Sequence, residues 1–460
     1  MNNQFNKLKI DSRLKKNLTD LNFISMTPIQ EKSLPLVLEG KDLIGQAKTG
    51  SGKTAAFGLG ILNSIDIKFT RPQSLILCPT RELAEQVAKE MRTLARTISN
   101  MKILTITGGK SEYHQQKSLS HGAHIIVGTP GRVLKLLKKK VLKLEYVKYY
   151  VLDEADRMLD MGFSEDIFKI TSHIPKDRQT LLFSATFPED IEKLSENLQN
   201  NPERVSVDIT HDDSKITEEF IELDSHKEKL DALKSILGHY NSQRFIVFCK
   251  TKKISDSVAN ELYRDGIMVS SIHGDLEQNE RTEVLTMFSN KSLSGIVATD
   301  VAARGIDIKG LDLVVNFDIS NDPEVYVHRI GRTGRAGEEG LAVSFITPYE
   351  MDSFEKILEY QQKEHGLKRI DNFNEEQKKY LTKPDMKTLI ISGGKRDKLR
   401  PGDLVGAIVG ESGIDFKSIG DISITNMKSY VAIHSENASL VCDKLNNGKI
   451  KNKKFKVGIL

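Results

Sequence analysis

The stretch that decides the fold is Ala47-Lys48-Thr49-Gly50-Ser51-Gly52-Lys53-Thr54, near the start of the chain. A short apolar run, Leu43-Ile44, precedes it and predicts a strand, and a run suited to a helix follows it. Strand, glycine-rich loop and helix in this order are typical of a phosphate-binding loop. Gly50 and Gly52 let backbone N–H groups approach an anion, and the helix N-terminus adds the positive end of its dipole. A plain Gly/Ser turn with an incidental lysine is the alternative.

The residues that would complete a nucleotide site follow this loop. In a phosphate-binding loop, Lys53 reaches the β- and γ-phosphates and the Thr54 hydroxyl holds Mg²⁺. About 100 residues later, an apolar strand delivers two adjacent carboxylates, Asp153 and Glu154, to the sheet edge. Asp153 can hold the Mg²⁺ shell, and Glu154 can position and deprotonate an attacking water. The sequence therefore predicts catalysis by Lys53, Asp153 and Glu154 rather than a surface acidic pair.

Composition and charge limit the class of protein. The 460 residues suggest about three domains, and no apolar run approaches the roughly 20 residues needed to span a bilayer. The first residues lack the apolar segment of a signal peptide, and the three cysteines have no paired spacing for a metal or a disulfide. We therefore expect a protein of the reduced cytoplasm.

Positive charge is concentrated at the end of the chain. The net charge is +4, but the residues from Met386 onward carry 13 Lys and Arg against 7 Asp and Glu, so the preceding 385 residues carry −2. A basic end module on a near-neutral body favours a polyanionic partner. Solvated lysines on a small domain would give the same count.

Alternation of β-rich and helical runs up to about residue 205 predicts a doubly wound parallel α/β sheet. Polar residues follow the predicted strands, where such sheets bind ligands. The segments are Ser74–Pro79, Lys102–Gly108, His124–Pro130, Tyr149–Glu154 and Thr180–Thr186. A polar, acidic connector is predicted at 208–219, and a second α/β series follows with strands at 244–249, 268–273, 295–299, 313–317 and 342–347. This second half has no phosphate loop, so we do not expect it to bind nucleotide alone.

The tetrapeptide Asp153-Glu154-Ala155-Asp156 is the name motif of the DEAD-box ATP-dependent RNA helicases, and the sequence resembles this family. The resemblance implies two tandem RecA-like domains, here 1–207 and 208–365, with ATP and Mg²⁺ as cofactors and RNA as the partner. Phe23 and Thr27-Pro28-Ile29-Gln30 match the adenine-reading motif, with Asn22 where the family usually has Gly. By resemblance Phe5 stacks on the base and Gln30 pairs with it. Because a Gln side chain both donates and accepts, Gln30 favours ATP over GTP.

Further segments match family motifs in order along the chain. Pro79–Ala84, Gly108-Gly109 and Thr129–Arg132 resemble segments that grip the RNA backbone, and Ser184-Ala185-Thr186 resembles the motif that couples hydrolysis to strand separation. In the second half, Ala298–Asp307 and His328–Arg335 match further motifs. The RNA-binding residues that the resemblance implies in the two core domains are Thr80, Arg81, Gly109, Thr129, Arg132, Gln278, Arg281 and Thr299.

Arginines three apart amid glycines, Arg332 and Arg335, favour a loop or helix end that presents both to another surface. Arginine holds its charge and is bidentate to phosphate, which suits the stabilisation of a leaving phosphoryl group. By resemblance these are the arginine fingers, Asp307 contacts the ribose, and His328 connects this motif to Ser184 and Thr186.

Residues 366–385 are polar and predict a linker, and 386–460 predict a separate small α+β domain. Its order is strand 388–392, helix 403–409, strands 419–425 and 430–434, helix 438–446 and strand 455–460, which is the βαββαβ order of an RNA-recognition (RRM-like) fold. Its sheet lacks a full set of stacking aromatics, since the third strand offers only Tyr430. Basic segments at 393–400 and 449–454 are therefore better RNA-binding candidates. The RNA-binding residues predicted in this domain are Lys395, Arg396, Lys398, Arg400 and Tyr430.

The end domain resembles the RNA-binding domain of DbpA-type bacterial helicases, through the basic segments and Lys428-Ser429-Tyr430-Val431-Ala432. That resemblance implies recognition of a 23S ribosomal RNA hairpin and action on pre-50S particles in ribosome assembly. Three rivals remain open. They are a general DEAD-box RNA chaperone for cold adaptation or mRNA turnover, a DNA-translocating helicase, and a non-enzymatic RNA-binding scaffold. The scaffold predicts eroded catalytic positions, whereas Lys53, Glu154, Arg332 and Arg335 are all intact.

Overall fold

A computed structural model describes residues 4–47, 51–187, 189–207, 216–300, 311–334, 339–370 and 383–460. The chain divides near residue 210 into two compact units. Within the described part of the chain, no helix is both long and apolar enough to cross a bilayer.

The first unit is built on a parallel sheet, as the alternating pattern predicts. Its strands are β1 (Leu43–Gln46), β2 (Ser74–Leu77), β3 (Ile103–Ile106), β4 (Ile125–Gly128), β5 (Tyr149–Asp153), β6 (Gln179–Ser184) and β7 (Glu203–Ser206). Its helices are α1 (Ser12–Asp20), α2 (Pro28–Leu38), α3 (Lys53–Ser64), α4 (Arg81–Leu94), α5 (Glu112–Ser120), α6 (Pro130–Lys138), α7 (Ala155–Asp160), α8 (Ser164–Thr171) and α9 (Glu189–Leu198). The described strands lie in the order β3-β4-β2-β5-β6-β1-β7, and all pairs are parallel.

Helices cover both faces of this sheet. Successive strand residues point to opposite faces, so Ile76 joins one apolar cluster while Leu75 and Leu77 join the other. All three are fully buried. Continuous apolar strands of this kind are what a sheet buried on both faces requires.

The second unit repeats this architecture. Its parallel strands are β8 (Ile216–Glu222), β9 (Phe245–Phe248), β10 (Val269–Ile272), β11 (Gly295–Ala298), β12 (Leu313–Asn316), β13 (Gly340–Ile346) and β14 (Leu367–Arg369). Its helices are α10 (Lys229–Tyr240), α11 (Lys252–Arg264), α12 (Gln278–Ser289), α13 (Pro323–Ile330) and α14 (Met351–Gln361). The described order, β10-β11-β9-β12-β13-β8-β14, is that of the first sheet with every strand number raised by seven.

Two segments differ from the sequence prediction. Residues 216–219, predicted as the end of an acidic connector, begin β8, and 367–369, predicted as linker, form the edge strand β14 beside β8. The acidic residues that suggest a connector have partners. Glu218 accepts hydrogen bonds from Tyr326 Oη and Lys363 Nζ, and Glu219 accepts one from Tyr240 Oη. Charge on this strand is therefore compensated within the fold rather than by solvent.

A buried ion-pair network lies at the carboxyl edge of the second sheet. Lys229, the first residue of α10, is 0 % exposed, and its Nζ lies 3.1 Å from Asp318 Oδ1 and 2.7 Å from Glu350 Oε1. Asp318 also accepts from the backbone N–H of Lys250. A fully buried ammonium group is tolerated only with such partners.

The end of the chain forms a small antiparallel sheet, which we call the tail domain (residues 383–460). Its strands are β15 (Met386–Ile391), β16 (Ile419–Ile424), β17 (Ser429–His434) and β18 (Val457–Ile459), and its helices are α15 (Pro401–Ser412) and α16 (Ala438–Asn447). The order β16-β17-β15-β18 and the βαββαβ sequence of elements confirm the predicted RRM-like fold. One sheet face packs on the two helices around Leu389, Val431 and Leu445.

Candidate active site and nucleic-acid contacts

The strand order of the first sheet separates two groups of predicted residues. The phosphate loop follows β1, Asp153 ends β5 with Glu154 directly after it, and Ser184 ends β6, so these lie on one half of the carboxyl edge. The predicted RNA contacts follow β2, β3 and β4 on the other half. β5 is therefore the boundary between them, and parallel strands bring both groups to the same edge.

Part of the phosphate loop lies within the described residues, and the adenine-reading motif contacts it directly. Gly52 has φ +90° and caps α3, and a Cβ at this position would lie 2.3 Å from Gln30 Nε2. Gln30 Nε2 donates to Gly52 O at 3.0 Å, and Thr27 Oγ1 donates to Ser51 O at 2.7 Å. Glycine is thus needed at 52 for its backbone conformation and for the close approach of Gln30.

Lys53 and Asp153 face each other across a short gap. Lys53 is 6 % exposed, and its Nζ lies 3.9 Å from Asp153 Oδ1, too far for a hydrogen bond. Among the described residues neither of these two buried atoms has a hydrogen-bond partner, and the same holds for Ser184 Oγ. Burial raises the pKa of Asp153 to about 6, against the opposing effect of Lys53. Buried polar atoms left open in this way fit a site that a phosphate and a cation complete.

Glu154 occupies a strained backbone position at the start of α7. Its φ of +54° lies in the left-handed region, which costs a non-glycine residue on the order of 1–3 kcal/mol. Its carboxylate is buried, and Oε2 accepts from Arg157 Nη1 at 3.2 Å. The ion pair and the turn together fix the direction of this carboxylate.

Asp156 is a residue for which the sequence analysis predicts no role. Its Oδ2 accepts from the backbone N–H groups of Ala185 and Thr186, both at 3.1 Å, and from Thr186 Oγ1 at 3.2 Å. The fourth residue of the tetrapeptide therefore joins the carboxylate motif to the predicted coupling segment. Its place three residues after Asp153 is the signal that could have found it.

The aromatic residue predicted to stack on adenine is buried in the described structure. Phe5 lies in a short 3₁₀ turn, and its ring contacts Phe23 edge to face with centroids 5.9 Å apart. Asn22 has φ +58°, a left-handed conformation that Asn tolerates well and that Gly, the residue that the family resemblance implies here, adopts freely. The adenine-reading roles of Phe5 and Gln30 stay predictions.

The predicted RNA contacts of the first unit lie where three neighbouring strands end. Thr80 caps α4 by accepting from Leu83 N, and Arg81 begins that helix. Thr129 precedes α6, and Arg132 Nη1 donates to Gln115 Oε1 at 2.8 Å. Gly109, with φ +70°, follows β3. The structure brings these five residues to one half of the sheet edge.

In the second unit, Arg329, to which the sequence analysis assigned no role, is held by four hydrogen bonds. Arg329 pairs with both carboxylate oxygens of Asp300, at 2.6 and 2.8 Å, and Nη1 donates to Asn316 Oδ1 and Asp318 O. Arg332 is buried in the turn after α13, which agrees with the predicted helix end.

The remaining predicted residues of this unit are placed by its strands and helices. Gln278 and Arg281 lie in the first turns of α12, Thr299 follows β11, and His328 lies near the end of α13. Whether His328 contacts the coupling segment stays a prediction. Five predicted residues lie outside the described residues: Lys48, Thr49, Gly50, Asp307 and Arg335.

Three loops of the tail domain form one basic surface. Lys395, Arg396, Lys398 and Arg400 are all exposed, whereas Leu399 between them is buried and anchors the loop. The segment at 449–454 lies beside it, because Lys451 Nζ donates to Lys398 O at 2.9 Å. The turn between β16 and β17 packs on the first loop so closely that a Cβ at Gly394 would lie 2.5 Å from Thr425 O. The two basic segments predicted separately are thus brought together.

The prediction that Tyr430 contacts RNA differs from the structure. Its side chain is only 3 % exposed, and its Oη donates to Glu283 Oε1 on α12 at 3.1 Å. Burial, together with Glu283, raises the pKa of the Tyr430 phenol. The ring is covered by the domain that is built on the second parallel sheet, which we call the second core domain. A base therefore cannot stack on it.

Comparison with known protein families gives three matches along the chain. Residues 27–194 match the DEAD/DEAH box helicase family, 228–337 the helicase conserved C-terminal domain, and 388–459 the DbpA RNA-binding domain. The first match lies within the first unit, the second includes the strands β9 to β12 of the second sheet, and the third lies within the tail domain.

Individual relatives agree with this assignment. The chain is 47% identical over 445 residues to the ATP-dependent RNA helicase DbpA of Escherichia coli K12, covering 96% of both chains, and 38% identical over 474 residues to DbpA of Bacillus subtilis, covering 98% of both. S. cerevisiae Dbp5 bound to RNA and ADP BeF3 matches with a TM-score of 0.75 at 32% identity, covering 83% of this chain and 100% of that one. Identity of this level over nearly the whole chain shows that the protein belongs to the DEAD-box ATP-dependent RNA helicases that carry a DbpA-type RNA-binding domain.

Proposed function

We propose that the first unit binds ATP at the β1–β5–β6 edge and that the second unit completes the site when RNA draws the two together. The open gap between Lys53 Nζ and Asp153 Oδ1 supports this proposal, since both atoms are buried without a hydrogen-bond partner among the described residues. A triphosphate supplies acceptors for the ammonium group. Thr54 and Asp153 fit Mg²⁺, which binds through few protein oxygens, substrate phosphates and water. When bound, the ion would neutralise charge on the phosphates.

The chemistry falls to residues on both units. Glu154 takes the proton of the attacking water, and its left-handed backbone and its ion pair with Arg157 aim the carboxylate. Arg332 and Arg335 stabilise the charge on the transferring phosphoryl group. Asp156 accepts hydrogen bonds from Ala185 and Thr186, and through them it transmits changes at the bound phosphates to the coupling segment. Hydrolysis is slow until RNA assembles the two halves.

ATP should be strongly preferred over GTP. In the described structure Gln30 donates to Gly52 O and accepts from Thr27 N, so one amide proton and one lone pair remain for adenine. A site built around paired groups rejects an analogue that leaves them unpaired. We expect RNA-stimulated kcat/KM to favour ATP, and Gln30→Glu to reduce this preference. Equal kcat/KM for ATP and GTP would remove the adenine-reading role and leave the phosphate loop unaffected.

We further propose that the tail domain selects the RNA, that its target is a hairpin of 23S ribosomal RNA, and that the enzyme acts on pre-50S particles in the cytoplasm. The observation that supports this is the single exposed surface formed by the Lys395–Arg400 loop and the 449–454 segment. Both relatives named DbpA match over nearly the whole chain, at 96% and 98% of its length. Phosphate contacts would position the hairpin, and base-edge contacts would identify it.

Neutralising the basic loop tests whether it selects RNA. Lys395→Ala, Arg396→Ala and Lys398→Ala should each weaken binding of 23S rRNA fragments, and each lost phosphate contact should lower the salt slope of log K by about one. If the replaced residue reads a base edge, its loss should instead weaken the binding free energy by about 1–3 kcal/mol and relax selectivity among RNA sequences. The measurement is RNA-stimulated ATPase and binding at several salt concentrations.

Lys444→Ala serves as the matched control, because Lys444 is an exposed lysine of the same domain on α16, outside the three loops. Stimulation by an unrelated duplex is measured in parallel. If the loop variants lose binding to both RNAs in equal proportion, the tail gives affinity without selectivity. The function is then that of a general DEAD-box RNA chaperone.

A further inference from the structure

The two central strands of the tail sheet, β15 and β17, carry buried residues on both faces. Their residues alternate between the faces, and Leu389 and Val431 point to the helices of the domain itself. Thr388, Tyr430 and Ala432 point the other way, yet Thr388 and Ala432 are fully buried and Tyr430 nearly so. In an RNA-recognition fold this open face is the one that stacks on bases. Here it is occupied by protein.

The second core domain supplies the cover, through polar contacts at two places. Glu283 on α12 accepts from Lys428 Nζ at 2.8 Å and from Tyr430 Oη at 3.1 Å. Just beyond the helix, Asn290 Nδ2 donates to Thr388 Oγ1 at 2.8 Å, and Thr388 Oγ1 donates to Ser292 Oγ at 2.8 Å. We call this set of contacts the dock.

The dock occupies one side of α12 and leaves the other side to the core domain. Glu283 and Asn290 are seven residues apart, which places them within about 20° of each other around the helix axis. Arg281, one of the predicted RNA contacts, lies about 160° away from Glu283 on the same scale. A single helix of 12 residues therefore carries Glu283 of the dock and, on its opposite side, a predicted RNA contact of the core.

The dock uses Lys428 of the β16–β17 turn but leaves the lysines and arginines of the two basic segments, 395–400 and 449–454, exposed. It reaches β15 and β17, whereas Ser423, which pairs with Tyr430 from the neighbouring edge strand β16, stays exposed. Lys395, Arg396 and Lys398 also stay exposed. The face that cannot bind RNA is thus the one that holds the domain, and the loops that can bind RNA stay available.

We propose that the dock fixes the RNA-selecting loops at a set distance from the duplex that the core domains open, so that it determines which helix near the recognised element is unwound. This inference rests on the proposed selection of RNA by the tail. A network of buried, mutually satisfied polar groups favours one orientation, because any shift leaves a group unpaired. Asn290, Ser292 and Thr388 are all buried and form such a network.

The first test measures whether the dock holds in solution. Donor and acceptor dyes are placed at the exposed positions Tyr263 on α11 and Leu440 on α16 of the full chain. Glu283→Lys sets like charges against Lys428 and leaves the Tyr430 hydroxyl without its acceptor, so we expect the docked population to fall about ten-fold or more. The double variant with Lys428→Glu restores opposite charges and should recover the wild-type distance. Ser423→Lys, on the same sheet but outside the dock, should leave the distance unchanged.

The second test measures the consequence for unwinding. 23S rRNA fragments carry the hairpin that best stimulates the ATPase and a duplex placed at increasing numbers of nucleotides from it. The wild type should show a sharp optimum of unwinding rate against spacing, and Glu283→Lys a flat profile that the charge-swapped double variant sharpens again. ATPase stimulated by poly-nucleotide RNA should stay at the wild-type rate in all of them.

The outcomes separate the two proposals. If the wild type shows no preference for the hairpin, the proposed RNA selection fails, whatever the distance measurements give. A second outcome is that the preference for the hairpin is present while Glu283→Lys keeps the wild-type dye distance or the wild-type spacing profile. In that case the dock does not set the distance between the RNA-selecting loops and the unwound duplex, and this inference is overturned.

Discussion

Replacing Glu154 with Gln is expected to slow ATP hydrolysis by about 10²- to 10⁴-fold, the usual contribution of a general base. The change keeps the size of the side chain and an oxygen that can accept from Arg157 Nη1, but it removes the group that takes the proton. ATP and RNA should therefore still bind with wild-type affinity. The measurements are RNA-stimulated ATPase at saturating ATP and equilibrium binding of a nucleotide and an RNA.

The control for this variant is Glu165→Gln on α8, an exposed acid that forms an i,i+4 pair with Lys169. It should keep wild-type turnover. The buried Arg157 loses a charged partner in Glu154→Gln, so the thermal midpoint is recorded as well. Near-normal turnover in folded Glu154→Gln would contradict the role of general base.

Removal of an arginine finger should have an effect of similar size. Arg335→Ala is expected to lower turnover by about 10³- to 10⁵-fold, the range found for such arginines in phosphoryl transfer, with only a modest loss of ATP affinity. The reason is that the charge it meets develops in the transition state. Single-turnover hydrolysis with bound RNA measures this directly, and Arg332→Ala should behave in the same way.

Arg329 provides the contrast, because its four hydrogen bonds to Asp300, Asn316 and Asp318 identify it as a structural residue. Arg329→Met leaves the half-buried carboxylate of Asp300 and the fully buried Asn316 Oδ1 without this donor, so it should destabilise the second unit by about 1–3 kcal/mol. Urea unfolding should therefore separate the two arginines. If Arg335→Ala keeps wild-type turnover, or unfolds as readily as Arg329→Met, the assignment of the finger is wrong.

Local patterns in the sequence predict most of the fold. The strands of both sheets follow apolar runs such as Phe245–Phe248. The predicted phosphate loop falls between β1 and α3, in the strand–loop–helix order that its motif predicts. The elements of the tail follow their predicted order, and every boundary lies within three residues of its predicted place. The misses are strands that carry charge at sheet edges or beside them, notably Ile216–Glu222 and Leu367–Arg369. Their carboxylates accept hydrogen bonds from tyrosine and lysine side chains about 20 to 150 positions away, which no local pattern reports.

In the candidate site, too, motif spacing predicts some contacts and misses those that join distant segments of the chain. Motif spacing predicts that Lys53 and Asp153 meet, and they do. It does not reveal that Gln30 contacts Gly52, that Asp156 holds Thr186, or that Tyr430 is covered by Glu283. Each of these contacts joins segments between 22 and 147 positions apart, so each depends on the finished fold.

The equal strand order of the two core sheets is what duplication of one ancestral domain would leave. Lys53 begins the helix after the first strand of one sheet, and Lys229 begins the helix after the first strand of the other. Their partners correspond too, since Asp153 ends β5 and Asp318 follows β12, the strand at the same place in the order. The first pair is held open at 3.9 Å, whereas the second has closed to 3.1 Å and recruited Glu350. The corresponding lysine and aspartate thus form a closed ion pair in the second sheet, whereas in the first they stay apart at the place where phosphate binding is proposed.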